Sequence, residues 1–370
     1  MMTEGAHSNG VKITDVRAHP FDIPLTEPFT ISAGSITSTR GVLVVVDTST
    51  GLRGLGEATP VYELTGEFPT GIIHVVNEIF RPLMIGKNPF RLEDIADTLD
   101  KAVLHNTSAK AAVEMALYDV IGKALGVAVY DLLGGENKTV ITDISLGIGN
   151  PAKVAKLASE AISKGFTLVK VKVGGNPADD LERVKAVREA VGPSYEIKVD
   201  ANQGWTVRAA LRAIRALEKY EIQLVEQPIA AWNLNGLVEI RRKVEVPIMV
   251  DESVFSPQDA HKVVALGAAD MINIKLMKCG GISRGKRIAA IAEAAGLECM
   301  IGSMYESRLS LTAAAHLATS TRAITMADID AALLSRDPVD EGILFEGGRV
   351  RLPGGPGLGV TLKSELPYLE

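Results

Sequence analysis

The chain reads as an α/β barrel preceded by an α+β domain, and three observations predict it. Past Leu133-Gly134-Gly135, short apolar runs alternate with amphipathic helical stretches about eight times, the pattern of a parallel sheet with crossover helices. Before that point strands come first and helices follow, without alternation, as in an α+β domain. The 370 residues, 46% hydrophobic and 23% charged, supply apolar surface for two cores. A doubly wound open sheet is the other architecture that such alternation permits.

The elements follow in order. Residues 1–10 are small and polar, a flexible leader. Residues 12–21 and 41–47 read as strands, the second built on Val42-Leu43-Val44-Val45-Val46, and Gly51, Gly54 and Gly56 mark a turn and a short strand. Between the two strands, residues 27–39 are small and polar around Gly34 and are expected to form a loop. From 71 to 126 the pattern is helical, with Ala111, Ala112, Met115, Ala116 and Val120 near a 3.6-residue period. The barrel runs are 141–146, 167–173, 196–199, 222–225, 246–250, 271–274, 298–301 and 323–327, with helices such as 178–190 and 206–220 between them. Residues 342–370, rich in Gly and Pro, are expected to return to the first domain. The resulting division is 1–10 leader, 11–135 first domain, 136–335 barrel and 336–370 returning tail.

Composition narrows the function. A net charge of −6 without a Lys/Arg-rich run argues against nucleic-acid and anionic-membrane partners. Cys279 and Cys299 form no CxxC, which suits a reducing cytoplasm and argues against a disulfide scaffold or zinc knuckle. The N-terminus lacks a signal peptide's apolar stretch, and no run approaches the roughly 18 residues of a membrane helix. A mean hydropathy of +0.17 points to buried subunit contacts and a homo-oligomer.

Charges close the apolar runs. Lys170-Val171-Lys172, Asp200, Glu226, Asp251 and Lys275 end five successive units, at spacings of 28, 26, 25 and 24 from Lys172 onward. The carboxyl ends of barrel strands share one face, so these side chains converge, and buried charge there must be paired or bound to metal. Asp200, Glu226 and Asp251, with no histidine near in sequence, make an oxygen-only site suited to Mg²⁺, with Mn²⁺ as the second candidate. Units two and six of eight lie opposite one another, so a substrate would sit between Lys172 and Lys275. Lys170, on the same face as Lys172, is expected to lower its neighbour's pKa or to bind a substrate carboxylate.

Together, Lys170-Val171-Lys172, Asp200-Ala201-Asn202-Gln203, Glu226-Gln227-Pro228, Asp251-Glu252-Ser253 and Ile272-Asn273-Ile274-Lys275 resemble the enolase superfamily, muconate-lactonizing-enzyme subgroup. The resemblance implies a modified TIM barrel, (β/α)7β, with an N-terminal α+β capping domain. Within the subgroup the chain is most similar to dipeptide epimerases, through Asn273 to Gly281 and Asp328-Ile329-Asp330. It implies Mg²⁺-assisted 1,1-proton transfer beside a carboxylate, with Lys172 serving the S-configured and Lys275 the R-configured substrate. It also implies that Asp328 and Asp330 hold the dipeptide's ammonium; residues i and i+2 of an extended segment share a face, so both carboxylates reach one cation. Lys278 falls outside the family's pair and is placed in the following loop. Asn202 is expected to support the metal or substrate, and Ser145 and Glu306 to reach the barrel mouth. Specificity would come from residues 26–38 and 58–68, the latter with Leu64-Thr65-Gly66-Glu67. Epimerases of alanyl-glutamate carry an arginine in the first loop; here 30–39 is uncharged, with Gly34 at the matching place, which favours a small or hydrophobic second residue against Phe29, Ile31, Ala33 and Ile36.

Other readings remain open at this level. An N-acylamino-acid racemase, an o-succinylbenzoate synthase or a cycloisomerase would share the lysines and acids, and a non-catalytic metal and peptide binder would share the acids. Gly281-Ile282-Ser283-Arg284-Gly285 matches a nucleophile elbow, but His316 is the only histidine downstream and no Asp lies between it and Ser283. Residues 354–359 are glycine-rich but lack GxGxxG order and a Walker lysine.

Overall fold

The computed structural model describes residues 10–32 and 34–363. The expected leader, apart from Gly10, and Ala33 lie outside the described residues. Three antiparallel strands, β1 (Ile13–Ile31), β2 (Gly34–Thr48) and β3 (Arg53–Ala58), form a sheet in that order. Both faces of β2 are covered, which is why its apolar run does not alternate with polar residues. Val42, Val44 and Val46 pack with Ile72, Val76, Phe80, Val113 and Leu117, while Leu43 and Val45 join the larger core shared with the barrel. The helix Thr107–Leu125 lies so close to β3 that a Cβ at Gly54 or Gly56 would fall 2.0 or 1.9 Å from the carbonyl oxygens of Ala116 and Ala112.

Residues 27–39, expected as a loop, are instead the far end of a long hairpin: Phe29 pairs with Ile36, Thr30 with Ser35 and Ile31 with Gly34. Its Thr and Ile side chains favour extended backbone. A register shift between Pro24 and Phe29 accommodates Pro24 and Pro28, which lack a ladder N–H.

Eight parallel strands make the barrel: β4 (Ile144–Leu146), β5 (Leu168–Lys172), β6 (Glu196–Asp200), β7 (Leu224–Glu226), β8 (Ile248–Val250), β9 (Met271–Ile274), β10 (Glu298–Gly302) and β11 (Ile324–Asp328). They are neighbours in chain order, and a parallel bridge between Thr142 and Ala327 joins the first unit to the last. The helices Pro151–Ser163, Pro177–Val191, Val207–Leu217, Leu234–Arg241, Pro257–Leu266, Ile282–Ala294 and Arg308–Thr319 fill the seven gaps, giving (β/α)7β. Leu224, Met249, Met271 and Met300, with Met326 against them, close the interior below the charges. The run expected as one strand at 141–146 divides, because Val140–Ile141 pairs antiparallel with Arg349–Arg351 of the tail. Further on, the Gly357 carbonyl accepts the Val129 N–H, and the Leu358 N–H donates to Asp119 on the helix Thr107–Leu125. No helix among the described residues is long and apolar enough to cross a membrane.

Carboxylates from the first domain cap barrel helices. Glu57 on β3 accepts the Ser307 N–H, the Ser307 hydroxyl and the Ser310 N–H at the start of Arg308–Thr319. Glu114 accepts the Ser283 N–H at 3.1 Å, serving a helix whose N-cap, Gly281, has no side chain. Burial pushes the Glu57 carboxyl up, and its bonds to Ser307 and Thr59 pull it part of the way back. Glu57→Ala should lower the unfolding free energy by about 2–4 kcal/mol, because a lost cap strands several buried donors. Urea denaturation measures this; a loss under about 0.5 kcal/mol would mean that the seam does not depend on Glu57.

Candidate active site

Parallel pairing puts the strand-end charges at one level. Lys172 is the register partner of Asp200, and Asp200 of Glu226, while Asp251 directly follows β8 and Lys275 directly follows β9. All are buried. β5 and β9 are four places apart in a ring of eight, so Lys172 and Lys275 face each other across it. They line one cavity of about 180 Å³ together with Asp251, Ser145, Asp328, Asp330 and Gly34. Phe29, Ile31 and Ile36 from the hairpin and Val61, Tyr62 and Leu64 from the next loop enclose it from the first domain. Phe29 meets Tyr305, which follows β10, edge to face at 6.0 Å. Glu67 fixes the end of the second loop by accepting from the Ser108 N–H and hydroxyl and the Ala109 N–H.

Beneath the cavity the charges interlock. The Lys170 ammonium stands 2.7 Å from Asp328 Oδ2, 2.7 Å from Glu226 Oε2 and 3.0 Å from Asp200 Oδ2. Lys172 Nζ donates to Asp200 Oδ2 at 2.6 Å and to Asn202 Oδ1 at 3.1 Å. Asp251 has Lys275 at 3.0 Å on one oxygen and Lys278 at 2.6 Å on the other. Burial works against each charge. Lysines nevertheless hold Asp200, Asp251 and Asp328 below the usual carboxylate range, and against burial, the largest influence on it, Asp251 together with Glu226 and Asp328 keeps the Lys275 ammonium favoured. Glu252, next to Asp251 in the chain, is pushed up to about 8 by burial and by the charges of Asp251 and Asp200. Asn202, Gln203 and Gln227 have φ of 40°, 69° and 34°, backbone strain concentrated where β6 and β7 end. The Gln227 Oε1 accepts the Asp251 and Ser253 N–H groups, tying that turn to the acid beside it.

Lys170 is fully buried, three acids share its ammonium, and it does not line the cavity. Two expectations are corrected. Glu306 turns back to accept the Met304 N–H at 2.5 Å, and burial with nearby Glu57 pushes it up to about 8; Tyr305 lines the cavity in its place. Lys278 is not in an open loop but in the short buried helix Leu276–Cys279, where it also donates to the Asp251 and Asn273 carbonyls. Ser283 Oγ lies against the Tyr118 hydroxyl, and both ring nitrogens of His316 are engaged by backbone groups, so they form no nucleophile–base pair.

Asp143, Lys198 and Tyr305 were not singled out in the sequence, and Asn273 was quoted there without a role of its own. Asp143 and Lys198 precede Ser145 and Asp200 by two, and Asn273 precedes Lys275 by two, so strand periodicity was the available signal. Asn273 Nδ2 donates to Glu226 Oε1 at 2.6 Å. Asp143, Asp328 and Asp330 each place an oxygen within 4.8 Å of the other two. Ser145 joins two of them, its N–H on Asp330 at 2.7 Å and its hydroxyl on Asp328 at 3.3 Å.

The donor chemistry fits a hard divalent cation best at Asp200, Glu226 and Asp251. They stand at the ends of adjacent strands and offer only oxygen, and Glu226 Oε2 and both Asp251 oxygens accept no aligned hydrogen bond despite the lysines beside them. Asp143, Asp328 and Asp330 form a second oxygen-only group, engaged by Lys198, Lys170 and Ser145, and its members do not close three adjacent strands: Asp143 precedes β4, Asp328 ends β11 and Asp330 lies beyond it.

This barrel, capped by a three-stranded domain and carrying two opposed lysines above buried acids, belongs to the mandelate racemase / muconate lactonizing enzyme family. That family's N-terminal domain matches residues 13–134, and the enolase C-terminal domain-like family matches 153–366. The hydrophobic dipeptide epimerase of Enterococcus faecalis is 44% identical over 354 residues, 95% of this chain and 100% of that protein. Its crystal structure with Mg and the dipeptide L-Leu-L-Tyr superposes with a TM-score of 0.92, covering 95% of this chain and 99% of that one. The L-Ala-D/L-Glu epimerase of Clostridium acetobutylicum is 40% identical over 94% of this chain and 98% of its own length. The N-succinyl-L-Arg/Lys racemase of Bacillus cereus is 36% identical over 96% of each.

A Cβ at Gly302 would lie 2.4 Å from Asn273 Oδ1 and push that side chain away from Glu226. Gly302→Ala should therefore weaken divalent-cation binding about 10–100-fold, the usual loss when a ligand's orienting partner is removed. Calorimetric titration of metal-free protein with Mn²⁺ and Mg²⁺ reads this directly. Affinity within about threefold of wild type would exclude an orienting role for Asn273.

Proposed function

We propose that the chain is a dipeptide epimerase, an isomerase that inverts the α-carbon beside the C-terminal carboxylate of a dipeptide with a small or hydrophobic second residue. The observation that carries this reading is that two opposed lysines and an Asp-x-Asp pair line the same cavity. The lysines suit proton transfer on two faces of one carbon. The aspartates suit a free ammonium, which acylated amino acids and dicarboxylates lack. The relatives, among them the hydrophobic dipeptide epimerase of Enterococcus faecalis, favour the same class.

In this reading Lys172 removes the α-proton of the S-configured residue and Lys275 returns one on the opposite face; the R-configured substrate runs the sequence in reverse. Each lysine must be neutral to act as a base, so Lys172 must be released from Asp200, or Lys275 from Asp251, when the site is loaded. Asp200, Glu226 and Asp251 would hold Mg²⁺, as the Mg-bound structures of related epimerases suggest. The chemistry such an ion supplies is Lewis-acid withdrawal of negative charge from the substrate carboxylate. Asn273 keeps Glu226 in place, Gln227 and Lys278 keep Asp251, and the Asn202 N–H keeps Asp200; Asp328 and Asp330, steadied by Ser145, orient the substrate from its amino end. The hairpin residues on the cavity, Phe29, Ile31, Gly34, Ser35 and Ile36, carry no charge, which supports a small or hydrophobic second residue. A cytoplasmic setting and a homo-oligomer complete the proposal.

With an L,L-dipeptide in D₂O, Lys275→Ala should lose epimerisation yet retain α-proton exchange through Lys172, and Lys172→Ala should show the mirrored pattern with the L,D-epimer. Either single variant interconverting both epimers near the wild-type rate would refute the opposed-lysine mechanism.

A mass-shift screen of dipeptides in D₂O should rank hydrophobic second residues above glutamate. N-acetylation should lower kcat/KM by roughly 30- to 3,000-fold, the equivalent of about 2–5 kcal/mol for a stranded buried charge. Preference for N-acyl amino acids would move the assignment to an acylamino-acid racemase.

A further inference from the structure

A second tier of charge lies under the ammonium site, and the proposed chemistry does not use it. Asp143, just before β4, and Lys198, on β6, are both fully buried and 3.0 Å apart. Lys198 otherwise meets the sulfur of Met300 at 3.3 Å. Asp143 gives Lys198 one oxygen, while the other is buried with no hydrogen-bond partner. Asp143, Asp328 and Asp330 lie within 4.8 Å of one another through one oxygen each.

The charges around this group do not balance. Two cations touch the three carboxylates, Lys198 from β6 and Lys170 from β5; Lys170 is shared with Asp200 and Glu226, and Lys172 and Lys275, which also act on Asp328 from farther away, are each paired with another acid. Ser145 contributes an N–H and a hydroxyl but no charge. Three anions with fewer than two full counter-charges in a dry space take up a proton or another cation.

We propose that Asp143, Asp328 and Asp330 share one proton while the site is empty, and that a primary ammonium entering it displaces that proton to solvent. The inference rests on the reading of Asp328 and Asp330 as the ammonium site. One carboxylic O–H bond breaks, the proton passes to buffer, and ammonium N–H groups take its place, leaving the charge of the group unchanged. Asp143, too deep to line the cavity, acts through Asp328 and Asp330 as a positioning residue. Burial and the Asp328 charge push Asp143 well up and Asp330 up to about 7, whereas Lys170 keeps Asp328 ionised against its own burial. The proton therefore resides on Asp143 or Asp330. Binding releases it only where the empty site is protonated, so apparent affinity falls by up to about tenfold per pH unit below about 7 and levels off above.

The test measures protons released when Mg²⁺-loaded protein is mixed with an equilibrated mixture of L-Ala-L-Leu and L-Ala-D-Leu in weakly buffered indicator solution. Turnover of that mixture produces no net change. About one proton per chain should appear at pH 6, declining through pH 7, and the N-acetylated mixture should release none. Asp143→Asn should remove most of the release; if that variant does not fold, the wild-type pH series and the acetylated control still decide. Saturable binding at pH 6 with less than about 0.2 proton released, undiminished release from Asp143→Asn, or equal release with the acetylated mixture overturns the proposal. Failure of the epimerase reading is separate: it appears as no α-deuterium in any dipeptide, whatever the proton count.

Discussion

The Lys170 ammonium, with no contact to solvent, joins acids from opposite sides of the barrel: Asp200 and Glu226 on β6 and β7, and Asp328 on β11. Those carboxylates belong to two parts of the site, two to the acidic trio and one to the Asp-x-Asp pair. A buried charge of this kind is costly alone, and it is stable here because the strands deliver its partners at the same height. Around that centre each remaining cation is paired with an acid, Lys172 with Asp200, Lys198 with Asp143, and Lys275 and Lys278 sharing Asp251. The barrel interior is thus built as interlocked ion pairs over an apolar methionine floor, and the cavity opens at the top of that lattice.

Much of this was legible because parallel strands impose a rule that sequence alone can express. Regular spacing put Lys172, Asp200, Glu226, Asp251 and Lys275 at equivalent points of successive units, and equivalent points of a barrel converge. What escaped was governed by side-chain reach and by the second tier. Residue type alone does not show that Glu306 folds back on Met304, two residues earlier, or that Lys278 threads under Asp251, 27 residues away. Asp143 and Lys198 obey strand alternation, but in apolar runs a single charge two residues before a stronger signal is easily absorbed by it. The hairpin was misread as a loop because its few apolar residues, Phe29, Ile31 and Ile36, stand among small polar ones. Its pairing is secured by backbone ladders and by Phe29 resting on Tyr305, a contact between residues far apart in sequence.

The two domains meet through hydrogen-bonded carboxylates rather than apolar contact alone. Glu57 and Glu114 satisfy the first N–H groups of barrel helices. Asp119 accepts N–H groups from both β3 and the tail. Buried helix ends need partners, and supplying them from another domain makes docking directional. The same device fixes the second enclosing loop, since Glu67 caps the helix Thr107–Leu125 while the residues before it face the cavity.

The hairpin end has a consequence for how such a site changes over time. Its two arms are held by main-chain pairing, which is indifferent to side-chain identity, and the residues it turns toward the cavity stand apart from the lysines and acids on the barrel strands. On the proposed function, reactivity and taste are then written on separate pieces of chain, and a lineage can exchange one diet for another by replacing a few side chains on this arm, with the lysines and acids of the barrel inherited unaltered.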